Sequence, residues 1–150
     1  MITRRASLAL FAASGAAALA PLPAAAKPWV FQSGGIALGG TDPVGYFQAG
    51  AVLAGTPAHQ SEHDGATWNF ASAENKALFD ADPGKYAPKY GGYCAYAVSK
   101  GGTAPTDPEA WTIHDGALYL NFSITVRGIW SQDIPGNIAK ADANWPGVLA

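Results

Sequence analysis

A second cysteine is missing. The 150 residues hold one, Cys94, so no disulfide can close within the chain. With one cysteine no C-x-x-C spacing can occur, which removes that local signature of a metal site. There is no basic run. Nine Lys and Arg against eleven Asp and Glu leave a net charge of −2, which gives no support for nucleic-acid binding. Gly34-Gly35, Gly39-Gly40 and Gly101-Gly102 lack the flanking residues of a phosphate loop. The carboxylates are scattered; Asp80 and Asp82 stand close together beside Pro83, where a turn role outweighs acid-base work. The apolar stretch Leu8–Ala20 falls short of the roughly 20 residues of a membrane span and is followed by Pro21 and Pro23.

What that stretch does form is a familiar order of segments. Arg4 and Arg5 precede it, and Ala24-Ala25-Ala26 follow, as in a secretory signal peptide. The expectation is a signal over 1–26 and a periplasmic or secreted mature chain. Two arginines fit twin-arginine export and an ordinary Sec signal alike. Cleavage after Ala26 removes both arginines and leaves a net charge of −4. At 124 residues the mature chain is one domain, large enough for a core without disulfides.

Residues 27–40 read as an extended lead-in, and "TDPVGYF" (41–47) as a turn into a short apolar segment. "QAGAVLAGTPAHQ" reads as loop. "EHDGATWNF" (62–70) and "WTIHDGALYLN" (111–121) are hairpins turned at Asp64-Gly65 and Asp115-Gly116. Ser72 caps a helix bearing Ala77, Leu78 and Phe79, which Pro83 ends or follows with a second short one. Ser123 caps another, weakened by β-branched residues and Gly128, and "NIAKADANW" predicts a last helix stopped at Pro146. Tyr93–Val98 is either extended or helical. The fold class is therefore α+β: a small single domain of antiparallel hairpins packed with short helices. Trp68, Phe70, Phe79, Trp111, Leu118, Leu120 and Trp130 are the expected core, and Tyr46, Phe47, Tyr93 and Tyr96 the expected lining of an apolar pocket beside Cys94.

Residues 63–72 ("HDGATWNFAS") and 114–123 ("HDGALYLNFS") lie 51 apart, and Phe79 and Asp82 match Trp130 and Asp133 at the same offset. "TDPVGY" at 41 and "TDPEAW" at 106 also resemble one another. An internal hairpin-helix duplication explains these matches; chance recurrence of Asp-Gly turns is the alternative.

Three roles compete for Cys94. Free cysteine is often a small buried hydrophobe, but an oxidising compartment penalises an idle thiol. Gly91 and Gly92 let backbone amides approach the sulfur. With His63 or His114, Cys94 offers thiolate and imidazole to a soft ion such as copper(I), or to zinc. A Cys-His pair also suits an activated nucleophile, although no oxyanion hole or substrate cleft can be read from the sequence.

Beyond these local features, "GGTDPVGYF", "GATWNFASAENKALFDADPGKYAPKYGGYCAYAVSKG", "DPEAWTIHDGALYLNFS" and "DIPGNIAKADANWP" resemble the YHS-domain proteins, the exported YHS-domain (seleno)protein group above all. The resemblance covers roughly residues 36–147, with the YHS-like domain placed at 41–150. It implies a small α+β domain associated with heavy metals, copper in particular. Metal-binding relatives use cysteines around the D-P-V element and before the serine that follows the aromatic strand. Here Gly45 and Ala71 stand in those places, so that multi-cysteine site is absent. Cys94 remains, where the seleno branch is expected to carry selenocysteine. The expectation is an exported accessory protein rather than an enzyme with a small-molecule substrate. In the first version Cys94, with His63, His114 or a metal-donor partner, binds copper. In the second, Cys94 is oxidised to sulfenic acid and restored by a thiol-reducing partner. The third is a structural module with an inert cysteine.

Overall fold

The computed structural model describes residues 26–150, and the signal pattern ahead of Ala26 lies outside them. The described chain is α+β. Six strands are β1 (Gln32–Ser33), β2 (Ile36–Ala37), β3 (Thr56–His63), β4 (Ala66–Phe70), β5 (Trp111–His114) and β6 (Ala117–Leu120). Six helices are α1 (Pro43–Gln48), α2 (Ala73–Ala81), α3 (Pro83–Tyr86), α4 (Ala95–Ser99), α5 (Ile124–Trp130) and α6 (Ile134–Asn144). No helix among the described residues is long and apolar enough to cross a membrane.

The first sheet has the order β1-β2-β4-β3, antiparallel except for the parallel pairing of Ile36 with Thr67. The second is the β5-β6 hairpin alone. Both predicted hairpins form. Each turn holds Asp and Gly at positive φ, 50° and 77° at Asp64-Gly65 and 49° and 77° at Asp115-Gly116, the backbone of a type I′ turn. Strand β3 reaches back to Thr56, into the stretch expected to be loop. It is a mostly exposed edge strand, with Pro57 tolerated where the register shifts between Thr56 and Gln60.

Ser72 and Ser123 cap their helices as expected, each accepting the N–H three residues on at 3.1 Å; such a cap contributes about 1 kcal/mol. Pro83 opens α3. Of Tyr93–Val98, residues 95–98 are helical, within α4, while Tyr93 and Cys94 form the extended approach to it.

Two apolar cores lie on either side of β6. Side chains alternate along a strand, so Leu118 and Leu120 enter the first core with Trp68, Phe70 and Phe79, while Tyr119 enters the second with Trp130 and Val98. All the expected core residues take part; Trp111 does so from a half-buried position, its ring on Tyr46. Residues 30–40 do more than lead in. Val30, Ala37 and Leu38 are buried in the first core.

Candidate functional site

The likeness between the two halves extends further than the sequence comparison of 63–72 with 114–123. Leu38-Gly39-Gly40 and Tyr90-Gly91-Gly92 share one backbone path, with φ of 55°, 63° and 87° against 58°, 61° and 83°. Asp42 N–H donates to Leu53 O at 2.9 Å, and Cys94 N–H donates to Ala104 O at 3.0 Å. Asp42 precedes α1 and Cys94 precedes α4. Further on, Asp82 and Asp133 sit at φ/ψ of −153°/73° and −148°/71° before α3 and α6. The counterpart of "GGTDPV" is thus "GGYCAY", residues 91–96, and not "TDPEAW". Asp42 and Cys94 differ at the matched position, which hid the match.

This equivalence defines the surroundings of Cys94. In the first half, the fully buried Asp42 carboxylate accepts three donors: Val44 N–H (2.8 Å), Ala71 N–H (2.9 Å) and Asn75 Nδ2 (2.7 Å). In the second half Phe122 N–H, 51 residues after Ala71, donates to Cys94 Sγ at 3.3 Å. The sulfur fills the place of a carboxylate oxygen. The Tyr96 N–H, counterpart of the Val44 N–H, turns instead to Asn121 Oδ1 at 3.1 Å. The Cys94 thiol faces that same oxygen at 3.6 Å.

Asn121 is held from several sides. Its backbone N–H donates to Ala110 O and its carbonyl accepts from Asp107 N–H, both at 3.0 Å. Its side chain is fully buried, yet Nδ2 has no partner. A buried amide donor left unpaired costs about 1–3 kcal/mol. The sequence comparison aligned Asn121 with Phe70, an apolar position, so nothing in the sequence singled it out.

Cys94 itself is only 1% exposed. The residue that meets its sulfur, Phe122, is 53% exposed, as is much of Ile124 beside it. Gly91, three residues before Cys94, packs closely on the segment around Trp29. Phe31 N–H donates to Gly91 O at 2.9 Å, and a Cβ on Gly91 would sit 1.9 Å from Trp29 O.

The two histidines stand elsewhere. His63 closes β3, with Nε2 3.1 Å from Asp64 Oδ2 and its ring edge-on to Phe79. His114 closes β5, 3.4 Å from Asp115 Oδ2. They line different clefts, of about 190 and about 520 Å³, and Cys94 lines neither. No group of three or more His, Cys, Asp or Glu side chains that could hold a metal ion occurs among the described residues.

The tyrosines divide as well. Tyr46 belongs to the first core with Phe47 packed against it, and its hydroxyl donates to Pro108 O. Tyr93 and Tyr96 belong to the second, with the Tyr93 hydroxyl on Pro28 O. The expected four-ring pocket beside Cys94 does not form, because α1 and α4 pack into separate cores. Tyr90, which carries no mark in the sequence, donates to Asp142 Oδ1 at 2.8 Å. Burial first, then this acidic partner, pushes its phenol well above the usual value.

Comparison with protein-family models, with curated proteins and with solved structures returned no match for this chain.

Proposed function

We propose that this is an exported, YHS-type thiol protein in which Cys94 undergoes reversible oxidation and a thiol-reducing partner restores it. The observation that carries the reading is the Phe122 N–H donated to Cys94 Sγ in the slot that holds a carboxylate oxygen in the other half of the molecule. A slot that accommodates a negative oxygen also suits a sulfur that becomes negative during reaction. A packing cysteine needs no such donor. In the cycle the sulfur loses two electrons to an oxidant and becomes a sulfenic acid. A thiol of the partner condenses with it, releasing water and leaving a mixed disulfide, and a second thiol displaces Cys94.

Copper(I) is the competing assignment. With neither histidine bonded to the sulfur, it needs further ligands from a metal-donor partner. One experiment separates the readings: thiol titration of the reduced protein, with and without copper(I), on wild type and Cys94→Ser. Modification of native wild type through local opening of the buried site, faster than global unfolding and unprotected by copper(I), is the expected result. Stoichiometric protection would transfer Cys94 to the metal assignment. A thiol silent until the protein unfolds would make it a packing residue and overturn both.

A further inference from the structure

Three features outside the thiol chemistry already described draw notice: the cleft at His114, the exposed apolar Phe122 and Ile124, and the unpaired Asn121 amide. Only the last points at a ligand. Asn121 Oδ1 is committed, accepting from Tyr96 N–H and facing the Cys94 thiol. That commitment fixes which end of the carboxamide is nitrogen. Nδ2 is therefore a buried donor without an acceptor, on the same group that touches the sulfur.

We infer that Cys94 and Asn121 form a site for a small hydroperoxide, with Asn121 Nδ2 the positioning donor for the oxygen that ends on sulfur. This rests on the redox reading of Cys94. The sulfur attacks one peroxide oxygen, the S–O bond forms and the O–O bond breaks. The thiol proton leaves with the departing oxygen as water or alcohol. Sulfur is oxidised by two electrons and the peroxide reduced by two. The product carries one new polar atom, the sulfenic oxygen, and it needs a donor in a place closed to water. Asn121 Nδ2 is that donor. Phe122 N–H already donates to the sulfur of the reduced thiol. Cys94 is 1% exposed, so the oxidant is small: hydrogen peroxide or a short alkyl hydroperoxide.

The test compares two rates in the reduced full chain, oxidation by hydrogen peroxide and alkylation by iodoacetamide, for wild type and Asn121→Asp. The aspartate keeps an oxygen for the Tyr96 N–H and lacks the amide donor. Its charge alters both rates, so the ratio of peroxide to iodoacetamide rate is the readout. That ratio is expected to fall at least about tenfold in Asn121→Asp, since a lost donor to a reacting oxygen typically costs more than that. Wild type supplies a second readout that does not depend on the variant folding: the Asn121 side-chain amide resonances shift when Cys94 becomes a dimedone-reactive sulfenic acid. An unchanged ratio, or resonances that stay in place on oxidation, would overturn the role of Asn121 while leaving the thiol reading intact. A native Cys94 inert to both reagents would overturn the thiol reading and this site with it.

Discussion

The two halves of the molecule place different chemistry in the same slot. Before α1, Asp42 meets three donors and leaves none of them idle. Before α4, the slot holds a sulfur with one donor, Asn121 takes over the second N–H, and Val126 stands at the position that Asn75 holds in the first half. The first arrangement is fully satisfied and has a structural role. The second leaves an amide unpaired beside the only thiol. The shared scaffold thus separates what both halves have, a polar group accepting an N–H from the end of a hairpin, from what differs between them, a carboxylate in one and a thiol in the other.

The largest effect that tests this contrast is on stability. Asp42→Ala strands three donors in a dry site and is expected to cost about 3–5 kcal/mol. Cys94→Ala strands one and is expected to cost about 1–2 kcal/mol. Urea denaturation of both variants measures the difference. Equal losses would mean that the sulfur is as structural as the carboxylate.

The paired glycines sharpen the same comparison. Gly39 and Gly91 share a positive φ, but a Cβ on Gly39 meets nothing within 4 Å while one on Gly91 strikes Trp29 O. Gly91→Ala is expected to lose about 3 kcal/mol or more, and Gly39→Ala about 1–2 kcal/mol for the backbone conformation alone. Melting curves for the two variants check the order. Similar losses would place the cost in the dihedral and not in the close approach.

The smallest effect appears only in alkali. Burial, then the charges of Glu109 and Asp107, raises the phenol of Tyr46; burial, then Asp142, raises that of Tyr90. Their ordinary value is 10.0. The folded state therefore holds these protons more tightly, so their contribution is complete below pH 10 and is lost as pH rises above it. Asp142→Asn should lower the Tyr90 midpoint towards 10 and leave Tyr46 unmoved, as read by tyrosinate absorbance. A shift in both would mean that the two cores are electrostatically coupled.

Much of the fold was legible because its signals are local. Asp-Gly turns, serine caps and alternating aromatics act over a few residues, and both hairpins and their following helices form where these signals place them. Strand β3 was missed at its start because a half-exposed edge strand carries no apolar alternation to mark it. The site was legible only in part. Cys94 drew attention as the lone thiol in a glycine-rich stretch. His63 and His114 drew it as ligand types, but turns at the tips of different hairpins carry them to different clefts. Asn121 carried no signal, since its importance lies in which atoms it faces across 27 residues of chain.

By itself, then, the amino-acid order determined the elements and much of the core, because turn chemistry, capping and side-chain alternation are set by near neighbours. It also left visible the 51-residue echo that betrays a repeat. Only the tertiary structure decided what the repeat means. Cys94 and Asp42 share no chemistry that a sequence comparison would align, yet a backbone N–H from the residue after each hairpin reaches both. Hydrogen bonds between distant segments depend on where packed elements bring their atoms, and that placement made one buried polar slot structural and the other a candidate for reaction.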